Sequence, residues 1–173
     1  HIWLAITEGI PVVDRVISVT GDVVANPKNI LAPLGTSVRE LVDAAGGFTE
    51  DPAKVLSGGP MMGISMRSLD VPIVKGTSGI LALSEKSALS APESACIRCG
   101  RCISACPMRL IPSSLDRLVR LRIYDDFHPG CGMNCIQCGN CPYMCPAHRH
   151  LTHTCREGKT TVLTERRNKM WNK

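Results

Sequence analysis

From residue 12 to residue 83 the chain reads as short apolar segments punctuated by glycine, proline and asparagine. Val12–Val24 predicts two short strands around a turn at Gly21-Asp22, and Asn26-Pro27-Lys28-Asn29 a second turn before a strand through Ile30-Leu31. Ser37 with Glu40 three residues on spells a capping box, opening a helix to Ala45 that Gly46-Gly47 stops. Further strands are expected near Lys54–Leu56, Val71–Val74 and Ile80–Leu83. Ser84–Glu93 has the composition of a linker. Beyond it the period changes. Ser113-x-x-Asp116 predicts a helix start, with Leu115, Leu118, Val119 and Ile123 as an apolar stripe opposite Arg117 and Arg120, and a basic helix is expected from Leu151 to the end.

Hairpin, single helix and further strands predict an α+β fold, one helix laid across a small mixed sheet as in a β-grasp domain, over residues 1–90. Residues 91–173 form a second, mostly helical domain ending in the basic helix. The chain starts at His1, and Ile2–Ile10 reads as the end of a preceding segment, so a fragment or processed chain lacking an upstream half is expected. No apolar run approaches the length of a spanning helix, and no signal peptide is evident.

Charge is unevenly placed. Residues 1–90 hold 7 Lys/Arg against 9 Asp/Glu, residues 91–173 hold 13 against 6. A basic half suggests nucleic acid, but aromatics are only 3% of the chain, too few for a base-stacking platform. The cysteines account for the arginines better, because thiolate-bound clusters are anionic. Nucleic acid is not an expected partner. The exposed-looking Arg166, Arg167, Lys169 and Lys173 read as a solvated tail.

Two cysteine strings carry the chemistry. Cys96-x2-Cys99-x2-Cys102-x3-Cys106-Pro107 is repeated 39 residues on as Cys135-x2-Cys138-x2-Cys141-x3-Cys145-Pro146. This is the spacing of bacterial two-cluster ferredoxins, in which the fourth cysteine ligates the other cluster. Three thiolates two residues apart on a tight, non-helical loop can surround one cubane, while the x3-Pro step turns the fourth away. Cluster I is therefore assigned to Cys96, Cys99, Cys102 and Cys145, and cluster II to Cys135, Cys138, Cys141 and Cys106, with no catalytic residue. Gly100 and Gly139 suit positions needing positive φ close to inorganic sulfide. The first loop has Arg98 and Arg101 where the second has Gln137 and Asn140, which predicts the higher reduction potential for cluster I.

The alternatives fit less well. Zinc uses paired C-x2-C units and has no need of a third and fourth cysteine so near, and a disulfide framework does not suit a chain whose first 90 residues lack cysteine. Cys131-x3-Cys135-x2-Cys138 spells a radical-SAM spacing only by running into the second string. Cys131 and Cys155 are left over and read as packed free thiols. His148, His150 and His153 read as a solvated helix start, since a Rieske centre would put histidine inside the ligand set.

Val19-Thr20-Gly21, Asn26-Pro27, Gly35-Thr36, Gly58-Gly59-Pro60-Met61-Met62-Gly63 and Val71-Pro72-Ile73-Val74-Lys75, followed by both cysteine strings, resemble the C-terminal half of the Rnf complex C subunit and its soluble relatives. The resemblance implies a soluble-ligand-binding β-grasp (SLBB) domain, then a dicluster ferredoxin-like domain passing electrons through two 4Fe–4S clusters. FMN and NAD(H) would belong to an upstream domain absent here, and the chain would be a redox subunit or fragment inactive by itself. Its partners would be other redox subunits, either in a peripheral complex on the cytoplasmic face of the inner membrane or in a soluble, cytoplasmic corrinoid reductase of the propanediol-utilisation kind. A reading of another class is a non-redox ligand-binding module with structural metal. Within Gly58–Gly63 the residues themselves suggest a tight strand exit with Met61 and Met62 as core filler.

Overall fold

The computed structural model describes residues 1–88 and 91–171. The chain divides into two compact units, His1–Leu89 and Ser90–Lys173. The first has α1 (Ile2–Thr7), β1 (Asp14–Gly21), β2 (Lys28–Pro33), α2 (Val38–Ala44), β3 (Lys54–Ser57), β4 (Ile64–Ser65), β5 (Gly79–Leu83) and α3 (Glu85–Ala88). Its five strands form one mixed sheet, ordered β2-β1-β5-β3-β4, with β1 and β5 parallel and the other pairs antiparallel. Strand alternation sends Ile17 and Val19 of β1 and Ile80 and Ala82 of β5 to one face, where α2 covers them with Val38, Leu41 and Val42. The Ser37–Glu40 box forms in full: Glu40 N–H donates to Ser37 Oγ at 3.2 Å and Ser37 N–H to Glu40 Oε2 at 2.8 Å. A cap of this kind stabilises by about 1 kcal/mol.

Three expectations for this unit change. There is no hairpin at Gly21-Asp22. β1 runs unbroken into Gly21, whose φ of 137° and approach to β5 leave no room for a side chain: a Cβ would lie 1.8 Å from the Ala82 carbonyl oxygen. Asp22 instead accepts hydrogen bonds from Ser84 N–H at 2.9 Å and Ser87 Oγ at 2.7 Å, drawing the start of the expected linker into α3. Val71–Val74 is not a sheet strand. Pro72 lacks a donor, and the segment pairs with the residues before α2 through Val38 N–H to Val71 O and Ile73 N–H to Thr36 O. Finally, Met61 and Met62 are exposed rather than core filler, while Gly58–Gly63 is the tight exit expected, closed by Gly63 N–H to Gly59 O at 2.7 Å.

The second unit contains α4 (Arg101–Ser104), α5 (Pro112–Arg120), α6 (Tyr124–Phe127), a 3-10 turn at Gly132–Asn134, α7 (Asn140–Tyr143) and α8 (Leu151–Trp171). Its core is Leu110, Leu115, Val119, Phe127, Cys155 and Val162. The duplication seen in the cysteine strings extends into this architecture. The offset of 39 residues carries α4 onto α7 and the first residue of α5 onto the first of α8. It also carries the buried positions Pro112, Leu115, Asp116 and Val119 onto Leu151, Thr154, Cys155 and Gly158. Asp116 therefore faces inward. α5 begins at Pro112 with Ile111 as its cap and no side-chain capping bond, so the expected Ser113–Asp116 start does not form, and Ile123 lies outside the buried stripe.

Phe127 is fully buried among glycines: a Cβ on Gly132 would lie 2.4 Å from its ring, and one on Gly158 2.8 Å from the ring and 2.6 Å from Val119 Cγ2. Gly158→Ala is accordingly expected to cost about 1–3 kcal/mol by overpacking the α5–α8 contact. Gly59→Ala, which meets open space, should stay within about 0.5 kcal/mol of the parent. Urea unfolding of the full chain, followed by far-UV circular dichroism, checks both.

Candidate cysteine-lined cofactor sites

Both strings fold alike. Arg98 and Gln137, Gly100 and Gly139, and Arg109 and His148 form three pairs at the same offset, all with left-handed backbone, φ between 50° and 83°. Non-glycine residues adopt this region rarely and at a cost. Where left-handed and right-handed residues alternate, successive N–H groups turn to one side and form a concave nest for anionic groups, iron–sulfur sites included. The glycine expectation holds. The third cysteine of each string corrects another: Cys102 and Cys141 sit on the one-turn helices α4 and α7, not on non-helical loop.

The chain brings the eight cysteines together in two fours. One cavity, of about 780 Å³, is lined by Cys96, Cys99, Cys102 and Cys145. A second, narrower one is lined by Cys135, Cys138, Cys141 and Cys106, and also by Cys155. None of the ten cysteines is paired in a disulfide, and among the described residues no three His, Cys, Asp or Glu side chains converge closely enough to hold a single metal ion. Soft thiolates spread around a cavity suit a multinuclear iron–sulfur group. Among the described residues outside the strings, His148, His150 and His153 are exposed and line neither cavity, and Cys131 is exposed rather than packed.

A buried carboxylate holds the first site together. Asp116, 2% exposed, accepts from Arg120 Nε at 2.9 Å and from Arg149 Nε at 3.1 Å. Arg120 also pairs with Glu93, and Arg149 Nη1 donates to the Ser94 carbonyl at 3.3 Å. Ser94 N–H in turn donates to the Ala147 carbonyl at 3.0 Å. The residues just before Cys96 are thus tied to those just after Cys145. Burial alone would raise the Asp116 carboxyl, but the hydrogen bonds from Arg149 and Arg120 outweigh it and hold the group below the usual carboxylate range.

Around the second site α8 supplies the partners. Lys159 Nζ donates to the Cys135 carbonyl at 2.8 Å, Arg156 Nε to Gln137 Oε1 at 2.9 Å, and the Thr152 hydroxyl lies 3.7 Å from Cys141 Sγ. These cations come from outside the second string, while Arg98 and Arg101 of the first string are exposed. Burial pushes the Cys141 thiol up to about 11, with Cys135 and Cys138 adding to the rise. The nearby Cys155 thiol brings Cys135 down to about 6, and the same neighbour together with burial pushes Cys155 up.

Comparison with known proteins agrees with this division. Residues 16–65 match the SLBB domain and residues 95–151 the 4Fe-4S dicluster domain. The chain is 48% identical over 122 residues to the C subunit of the proton-translocating ferredoxin:NAD(+) oxidoreductase complex of Clostridium ljungdahlii, covering 70% of the chain and 27% of that protein. It is 40% identical over 159 residues to the C subunit of the Na(+)-translocating ferredoxin:NAD(+) oxidoreductase complex of Acetobacterium woodii, covering 92% and 36%. The C subunit of the ion-translocating oxidoreductase complex of Methanosarcina acetivorans is 34% identical over 165 residues, covering 95% and 37%. The chain thus spans between about a quarter and two fifths of the length of these relatives.

The Asp116 hub has a pH signature. With its carboxyl held low, its stabilisation is complete above the unfolded value near 4 and is lost only as pH falls through the lower folded value. Asp116→Asn, which removes the buried charge that pairs with Arg149 and Arg120, is expected to cost about 3 kcal/mol. Melting curves of parent and variant should stay equally separated from pH 8 to pH 5 and approach one another only below about pH 4.

Proposed function

The chain belongs to the C-subunit family of Rnf-type ion-translocating oxidoreductases, and on that premise we propose that it is an electron-transfer segment holding two 4Fe–4S clusters. The observation that carries this reading is the lining of the two cavities, each by three thiols of one string and the fourth of the other. Cys96, Cys99, Cys102 and Cys145 would hold cluster I, and Cys135, Cys138, Cys141 and Cys106 cluster II. The clusters supply reversible one-electron acceptance.

The chain's own residues supply the rest. The paired left-handed turns are of the kind that forms a nest for anionic groups, and Leu110 N–H donates to Cys106 Sγ at 3.4 Å. The Asp116 hub fixes the crossing of cluster I, and α8 fixes the far wall of cluster II. Leu110, Pro112, Leu115 and Ile136 make much of the second cavity's lining apolar and limit water, which raises the weight of every nearby charge. Flavin and nicotinamide chemistry would reside in parts of the family outside this segment, and the partner would be another redox subunit. Among the described residues no helix is long and apolar enough to cross a membrane. The first 90 residues would act as a spacer that positions the dicluster unit.

Iron and acid-labile sulfide analysis of the anaerobically reconstituted chain tests this reading. About eight irons per chain are expected; fewer than about four would remove the electron-carrier function in favour of a structural metal. The crossing has its own test. In electron paramagnetic resonance of the reduced protein, Cys106→Ser should give the spectrum of Cys138→Ser, and Cys145→Ser that of Cys99→Ser. The opposite pairing would assign each cluster to a single string.

A further inference from the structure

Cys155 has no part in either ligand set, yet it is 1% exposed and lines the second cavity. It belongs to the buried cluster of Leu115, Val119 and Phe127, against which Cys135 is packed, and both thiols line the second cavity. The internal duplication gives its position a meaning. Cys155 on α8 is the counterpart of Asp116 on α5, and Lys159 that of Arg120. In the first copy the buried side chain is a carboxylate whose oxygens are taken by Arg120 and Arg149. In the second copy the lysine has turned away to the Cys135 carbonyl, and the buried side chain is a thiol that lines the second cavity together with Cys135.

We propose that Cys155 is a positioning residue whose thiol donates a hydrogen bond to Cys135 Sγ and thereby raises the reduction potential of the second cluster. The inference rests on the two-cluster reading above. A ligating cysteine is a thiolate and can only accept, so the donor in such a bond is Cys155. Reduction places one further negative charge on the cluster and its sulfurs. A donor fixed at one of those sulfurs stabilises the reduced state more than the oxidised one, and hydrogen bonds to sulfur are among the features that set cluster potentials. At the first site the corresponding position holds a carboxylate engaged with arginines, so the two clusters are expected to differ in this respect.

The test is a redox titration of the full chain carrying both clusters, followed by electron paramagnetic resonance, with the second cluster's wave identified by its loss in Cys138→Ser. Cys155→Val fills the space without a donor, and Cys155→Ser keeps one. The expected result is that Val weakens reduction of the second cluster about tenfold, about 59 mV for one electron. Ser should stay near the parent, and the first wave should be unmoved in both. Exchange into D2O should alter an exchangeable-proton coupling of the reduced second cluster in the parent and Ser variant but not in Val. An unchanged second wave in Val, an equal fall in Val and Ser, or an equal shift of both waves would each overturn the proposal, the last two by showing a packing effect. If Val loses the second cluster, Ser alone decides: a parent-like wave with the exchangeable coupling supports the hydrogen bond, and its absence overturns it. A parent chain with fewer than two clusters would instead overturn the reading on which the inference rests.

Discussion

The buried carboxylate of Asp116 is the constraint around which the dicluster unit is arranged. A site that draws three thiols from one string and the fourth from another needs two distant stretches of chain held side by side. The segment at Glu93–Ser94 and the segment at Ala147–Arg149 meet at Asp116, through Arg120 and Arg149 and through the Ser94–Ala147 backbone bond. Burying a carboxylate is unfavourable by several kcal/mol unless its lone pairs are used. Here two guanidinium groups use them. The geometry this demands is narrow, so the hub favours one arrangement of Cys96 and Cys145 over the many in which a loop closed across 53 residues would otherwise wander.

The same constraint explains why the duplicated halves have diverged. α5 and α8 begin at matching positions and bury matching positions, yet the first copy puts Asp116 where the second puts Cys155, and Val119 where the second puts Gly158. Two equal side chains could not both occupy the Val119–Gly158 contact, because a Cβ at residue 158 would collide with Val119 and with the Phe127 ring. Pseudo-symmetry at the helices' closest approach has to be broken by making one partner small. Once Gly158 admits α5 so closely, α8 can bring Thr152 and Cys155 to the second cavity and Arg156 and Lys159 to the second string, all from a single face. In a molecule with so few aromatic residues, one phenylalanine enclosed by glycines does the space-filling that a larger core would share out.

Local chemistry is the part legible in the sequence. Ser37 and Glu40 are three residues apart and settle their helix start between themselves, and Gly100 and Gly139 take the left-handed backbone their strings require. What the sequence hides depends on partners far along the chain. Asp116 follows Ser113 with the spacing of a helix cap, but one of the two arginines that claim it is 33 residues away. Asp22 has the company of a turn glycine, but its acceptors serve Ser84 and Ser87. Val71–Val74 has strand composition, and only the backbone before α2 is available to pair with it. Cys155 reads as an idle thiol as long as the duplication is followed through the cysteine strings alone. Carried on at the same offset, the repeat pairs residue 155 with residue 116 and marks both as inward-facing.

Charge shows why counting along a loop misjudges a site. Arg98 and Arg101 are next to the ligands of the first string but exposed, so water and salt screen them. Arg120 and Arg149 also line the first cavity, but they are engaged by Asp116 and Glu93 and contribute little net field. The second string has no cation of its own at the matching places, yet α8 turns Lys159 and Arg156 inward at hydrogen-bonding distance from its backbone and from Gln137. A half-buried cation acts through a lower effective dielectric than an exposed one at the same distance. The electrostatic balance between the two sites is therefore decided less by which string carries arginines than by which helix can reach each string, and that follows from the duplication and from the glycine that lets α8 lie down on α5.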